Sequence, residues 1–162
     1  MKNRMVEPRS AFARRLFDNE VRAYKCLQSL QGVRVPKYLG HFTVNFNDRE
    51  LAEDRVVNVL MLDVICGRSL KKARNELSSL ERVRIREQVL EMVMVITQKE
   101  IFFPTISARH FLVLNGDNSL RMVAFSNSYH PDQFQLSTNE REEYLQMKLG
   151  MTEDMLDNAG YS

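Results

Sequence analysis

Apolar residues recur at helical spacing in two long stretches of this chain. From Ser79 to Lys99, Leu80, Ile85, Val89, Met92, Val93 and Ile96 fall on one side, opposite Arg82, Arg86, Glu87 and Glu91, which predicts a long amphipathic helix. Ser78, with Glu81 three residues on, is a capping-box start. Ser10 to Leu30 reads as a second helix, with Phe12, Leu16, Val21, Tyr24 and Leu27 inward and Gly32 as terminator.

Elsewhere the period shortens. Val33 to Phe42 reads as a loop and a strand, and Asn47 to Asp54 as a charged, polar connection. Val56 to Ile65 is a largely apolar strand that runs out into turn chain at Cys66-Gly67-Arg68-Ser69-Leu70. Phe111 to Leu114 and Leu120 to Val123 are two short strands joined by the polar, Gly-containing turn Asn115-Gly116-Asp117-Asn118. Asn127 to Ser137, containing Pro131, is a polar loop. Asn139 to Lys148 reads as a last helix, with Tyr144, Leu145 and Met147 as its apolar positions and Gly150 closing it. The expected class is α+β.

Composition narrows the picture further. With 162 residues, 44% hydrophobic and 27% charged, the chain can bury one core and keep a polar surface. Its net charge is +2, and basic residues are scattered among acidic ones apart from Arg14-Arg15 and Lys71-Lys72, so no basic stripe suited to nucleic acid appears. Lys71, Lys72 and Arg74 read as a solvated face. Cys26 and Cys66 are the only cysteines, and a pair without metal-ligand spacing fits a reduced, cytoplasmic or nuclear setting. No secretory h-region and no apolar run of membrane-spanning length are present. His41, His110 and His130 lack ligand spacing, which argues against zinc.

The order of these elements resembles the protein-kinase-like superfamily, and within it the small, divergent fungal-type kinase-like proteins. The kinase catalytic loop reads H-R-D-x-x-x-x-N and is followed, one hairpin later, by D-F-G. In this chain Thr105 falls at the place of the catalytic aspartate, His110 at that of the metal-binding asparagine, and Ala124, in Ala124-Phe125-Ser126, at that of the second aspartate. Leu62, Asp63, Gly67 and Leu70 match the pattern of a strand leading into the hinge. The resemblance implies adenine contacts with backbone around Asp63, Val64 and Ile65. Glu20 stands where the family keeps its lysine-pairing glutamate, with Lys2 or Arg4 as candidates for the partner. No G-x-G-x-x-G is present, about nine residues precede the first helix, and the helices that follow the hairpin in a full large lobe are lacking.

The resemblance implies a truncated kinase-like fold, with residues 1–65 a partial N-lobe, 66–150 an abbreviated C-lobe and 151–162 a flexible tail. It also implies a degenerate site. Threonine is a poor base, alanine offers no oxygen to magnesium, and imidazole suits zinc or copper better than magnesium. The expectation is a catalytically inactive module that binds a protein partner or its own copy, with no metal and no cofactor beyond weak, metal-independent nucleotide binding. Three alternatives remain open: a phosphotransferase using Asp63, Asp117 or a glutamate as a recruited carboxylate, a decayed fragment without a selected role, and an unrelated α+β domain in which Ile106 to Phe125 is a plain buried hairpin. Val83, Leu90, Met94 and Val95 lie off the main stripe of the long helix. They are expected to stay partly uncovered and to drive association.

Overall fold

In the computed structural model, residues 9–48, 53–130 and 137–157 are described. They form a mixed α/β arrangement with four α-helices and two small antiparallel sheets. Helix α1 spans Arg9–Cys26. It ends earlier than its apolar spacing suggests, because the chain tightens into a single 3₁₀ turn, Gln28–Leu30, and reverses at Gly32. There φ is 77°, and an added Cβ would sit 2.8 Å from Lys37 Cε, so glycine suits both the backbone and the space. Val21, Tyr24 and Leu27 are buried as expected, whereas Phe12 is 45% exposed and stacks under Arg15.

Strands β1 (Tyr38–Asp48) and β2 (Glu53–Leu62) form a long hairpin. Of the charged segment expected as a connection, Asn47, Asp48, Glu53 and Asp54 lie in strand and residues 49–52 lie outside the described range, and β2 stops before Asp63 rather than running to Ile65. Cross-strand register decides which side chains share a face. His41 lies opposite Leu60, and Thr43 opposite Asn58. This face meets α1, as the edge-on contact of Phe17 with His41 and the packing of Tyr38, Leu60 and Leu62 on the core show. Gly40, Phe42 and Val44 lie opposite Met61, Val59 and Val57 on the other face, where Phe42, Val57 and Met61 are 45%, 44% and 40% exposed.

The segment expected as turn chain after β2 contains strand β3 (Gly67–Ser69) and the one-turn helix α2 (Leu70–Ala73). β3 pairs with β4 (Phe111–Leu114), which pairs in turn with β5 (Leu120–Met122). A Cβ on Gly67 would come within 2.7 Å of the Val113 carbonyl oxygen, so this close approach requires glycine. The three-residue strand is too short for periodicity to reveal.

Helix α3 (Ser79–Gln98) starts on the expected capping box, with both reciprocal hydrogen bonds formed between Ser78 and Glu81. Ile85, Val89, Met92, Val93 and Ile96 pack into the core, while Leu80, assigned to the same stripe by spacing, is exposed. Of the four off-stripe positions, Val83 and Met94 are exposed, and Leu90 and Val95 are half-buried. Helix α4 (Thr138–Asp157) packs along α3 and runs through Gly150, so that glycine does not close it and residues 151–157 continue the helix. Residues 158–162 lie outside the described range. Lys71 and Lys72 are exposed, whereas Arg74 is half-buried.

Candidate functional site

The β4–β5 register sets the geometry around His110 and Ala124. Phe111 lies opposite Met122, and Val123 N–H donates to the His110 carbonyl at 2.8 Å. His110 and the residues leading to Ala124 therefore meet at the open end of the hairpin, while Asn115–Asn118 turns at the other. Thr105 is exposed on the loop that precedes the single 3₁₀ turn Ala108–His110.

His110 is committed to holding that turn. Its Nδ1 accepts the Ser107 backbone N–H at 3.1 Å; because a backbone N–H only donates, the ring proton resides on Nε2. Burial holds the imidazole pKa below its ordinary value, which favours this neutral form. The side chain thus presents a donor where a metal ligand would need a lone pair. Ala124 has φ 67°, a left-handed conformation that costs a residue with a Cβ about 1–2 kcal/mol. Such strain persists only where neighbours hold it. Here Val123 is tied to His110, and Phe125, buried between Tyr24 and Phe103 with ring centroids 5.2 and 5.6 Å away, fixes the other side.

Glu20 completes this end of the site. Its carboxylate accepts the backbone N–H of Phe125, but burial dominates and raises its pKa above the ordinary carboxylate value. Beside it, Asn19 Nδ2 donates to the Ser126 carbonyl at 3.3 Å, and His130 Nε2 donates to the Asn19 carbonyl at 3.2 Å. Ser128 Oγ donates to the Phe125 carbonyl at 2.7 Å. Asn19, Ser128 and His130 are all buried, so α1 is stitched to residues 125–130 by a polar network inside the protein. Polar composition implies a solvated loop from Asn127 onward; no local pattern distinguishes a buried serine or histidine from an exposed one. The described part of that loop, up to His130, is instead an anchored element.

Because Glu20 holds its proton more tightly in the folded chain than in the unfolded one, folding binds protons between its unfolded and folded pKa values. Its contribution is present below the unfolded value and lost as pH rises through the folded one. Glu20→Gln should flatten that part of the pH–stability curve and raise stability at neutral pH relative to the native chain. Urea unfolding at stepped pH measures both.

Asp63, Val64 and Ile65 belong to a different place. Asp63 Oδ1 accepts the Lys37 backbone N–H at 2.6 Å, and its own N–H donates to the Lys37 carbonyl at 3.0 Å. Arg121 Nη1 lies 3.8 Å from Asp63 Oδ2. Val64, at 89% exposure, and Ile65 line a cleft of about 490 Å³ with Cys66, the Leu114–Asp117 turn and Arg121. The Asp117 carboxylate accepts the Ser119 N–H at 2.9 Å, which holds its pKa below the usual value. This cleft is at the turn end of the β4–β5 hairpin, and neither Glu20, Thr105, His110 nor Ala124 lines it. Lys2 and Arg4 lie outside the described residues. Among the described residues, no group of three His, Cys, Asp or Glu side chains is placed to hold a metal ion.

A third feature has no signature in the sequence. One stripe of α4, Arg141, Tyr144 and Lys148, grips successive positions of the segment that carries Thr105. Arg141 Nη2 pairs with Glu100 at 2.7 Å. Tyr144 Oη accepts the Phe103 N–H at 2.7 Å and donates to the Phe103 carbonyl at 3.2 Å, and Lys148 Nζ donates to the Pro104 carbonyl at 2.7 Å. Lys148 is 1% exposed, the reverse of what a lysine beside an exposed Met147 suggests. Compared with known proteins, the chain matches no protein-family model and no curated protein.

Proposed function

We infer that this chain is a kinase-like domain without phosphotransfer chemistry, acting as an interaction or regulatory module. The observation that carries the reading is the open end of the β4–β5 hairpin. There a donor imidazole and a methyl group stand where magnesium would need oxygen ligands. The arrangement of α1 over that point, with Glu20 on the Phe125 N–H, supports the kinase-like comparison. So does the hinge-like chain from Asp63 to Cys66, which leaves β2 and enters β3. Of the carboxylates in the recruited-carboxylate alternative, Asp63 and Asp117 are held at the far end of the hairpin by backbone N–H groups, which leaves a glutamate. Glu20 is the carboxylate that does reach Phe125.

The partner in this reading is a protein or a second copy of the chain. Among the described residues no helix is long and apolar enough to cross a membrane. Purified protein is expected to show no magnesium-ATP phosphotransfer to itself or to a generic protein acceptor in a radiolabel assay. Thermal shift should be small with ATP and unchanged by adding magnesium, since a ligand stabilises by RT ln(1 + [L]/Kd) and a weak one adds little. A magnesium-dependent shift, or turnover abolished by Glu20→Gln or Asp63→Ala, would overturn the reading.

A further inference from the structure

β4 and β5 turn one face to the core, where Phe111, Val113, Leu120 and Met122 are buried. Strand alternation puts Leu112, Leu114 and Arg121 on the other face, half-buried. Val64 to Cys66, on the way from β2 to β3, pass beside that face and with the hairpin turn border the cleft of about 490 Å³, a size within the range of roughly 300–1,000 Å³ usual for small-molecule sites. Its walls combine an aliphatic surface, from Val64, Ile65 and Leu114, with two opposite charges, Arg121 and Asp117. Arg121 reaches Asp63 only at 3.8 Å, beyond hydrogen-bond length, and its buried Nε has no acceptor among the described residues. The Ser119 N–H and, less strongly, the Arg121 guanidinium hold the Asp117 carboxyl below its usual pKa. The cleft thus sets a cation short of partners beside a carboxylate that stays charged. A ligand with a carboxylate alone would meet Asp117, and one with an amine alone would meet Arg121; like charges brought together cancel much of what the opposite pole gains. A nucleoside triphosphate would bring several negative charges to a lining whose two charges cancel.

We propose that this cleft binds a free α-amino acid with an aliphatic side chain, its carboxylate on Arg121, its ammonium on Asp117 and its side chain against Val64, Ile65 and Leu114. A zwitterion is the ligand that leaves neither charge opposed, and a planar guanidinium matches a carboxylate in shape as well as sign. The cleft shares no residue with the end of the hairpin where Glu20, His110 and Ala124 lie, so the proposal stands apart from the loss of phosphotransfer chemistry. It gives a regulatory module a small-molecule signal to respond to.

The native chain carries its own reporter. Cys66 is exposed and lines the cleft, and Cys26, exposed at the end of α1, serves as the reference. At about 10 mM, several-fold above a millimolar dissociation constant, leucine should slow iodoacetamide alkylation of Cys66 by about fivefold and leave Cys26 unchanged, as read by peptide mass spectrometry. Isocaproate, which lacks the ammonium, isoamylamine, which lacks the carboxylate, and free glycine, which lacks the side chain, should each protect by less than about twofold. Asp117→Asn keeps an oxygen for the Ser119 N–H and removes the charge. In that variant leucine should lose most of its protection and isocaproate should protect at least as well. Arg121→Gln should bring the same exchange in favour of isoamylamine. Since Asp117→Asn tests the opposite pole, the outcome does not depend on whether Arg121→Gln folds. The proposal fails if leucine leaves the Cys66 rate unchanged or slows Cys26 equally, or if either single-charge analogue protects the native chain as well as leucine does. It also fails if ATP protects Cys66 and leucine does not, a result that would assign the cleft to a nucleotide.

Discussion

Phe125→Ala should lower the stability of the protein by about 3–5 kcal/mol, the usual cost of truncating a fully enclosed phenylalanine. For a chain of this length that corresponds to a fall in Tm of roughly 10 °C. Phe125 has no solvent exposure. It meets Tyr24 of α1 edge-on and packs at a tilt against Phe103, the residue that leads into the Thr105 loop. Its backbone is held just as firmly, with the N–H bonded to Glu20 and the carbonyl to Ser128. The ring therefore joins three elements that share no strand, and no neighbouring side chain is free to fill the void without moving one of them. Chemical denaturation of Phe125→Ala against Phe125→Leu is the measurement. Leucine restores most of the volume and should recover more than half of the loss. A truncation that costs under about 1 kcal/mol would mean that the three elements are not coupled through this ring.

The parts of the fold legible in the amino-acid sequence are those where a long period or a local chemical signal leaves no rival. The capping box at Ser78 and Glu81 marks the start of α3 to the residue, because two reciprocal hydrogen bonds need that spacing. The β4–β5 hairpin is legible from Asn115-Gly116-Asp117-Asn118 between two apolar runs. What the sequence hides has equally physical causes. β3 is three residues long, and its pairing is determined by a close approach at Gly67 that only the partner strand makes visible. Gly150 lies inside α4 because glycine weakens a helix by about 1 kcal/mol without stopping it.

The site divides in the same way. Of the positions the resemblance points to, Thr105, His110 and Ala124, the hairpin register brings His110 next to the strand that delivers Ala124. Of the residues expected to form a hinge, Val64 and Ile65 line a cleft at the opposite end of that hairpin. Sequence alone has no means of measuring that separation. Nor does it carry a signal for Asn19, Ser128 and His130, whose significance lies in being buried together; asparagine and serine are mostly exposed types, and histidine is intermediate.

The Tyr144 clamp carries the second large expectation. Tyr144→Phe should cost about 1–3 kcal/mol, far more than the loss of one exposed hydroxyl, because the Phe103 N–H it satisfies belongs to a buried residue and would be left without an acceptor. The tyrosine hydroxyl sits in an environment whose burial pushes its pKa up to about 12, so it remains a neutral donor and acceptor across the working range. Lys148 behaves differently. Its ammonium donates to the Pro104 carbonyl and lies 5.2 Å over the Tyr144 ring, but burial lowers its pKa, so part of what those contacts contribute is spent on desolvation. Lys148→Met keeps the aliphatic stem and removes the buried charge, and should cost less than Lys148→Ala, which removes the packing as well. In the native chain the amine holds its proton less tightly when folded than when unfolded. Stability should therefore rise as pH climbs from its folded pKa toward the ordinary lysine value, and Lys148→Met should abolish that rise. Hydrogen exchange adds the spatial part: in Tyr144→Phe, amides of α4 and of residues 100–105 should lose protection together, while α1 and the β1–β2 hairpin keep theirs. Loss of protection in α4 alone would show that the loop carrying Thr105 is held by the Phe103 and Phe125 rings and not by the helix that grips its backbone.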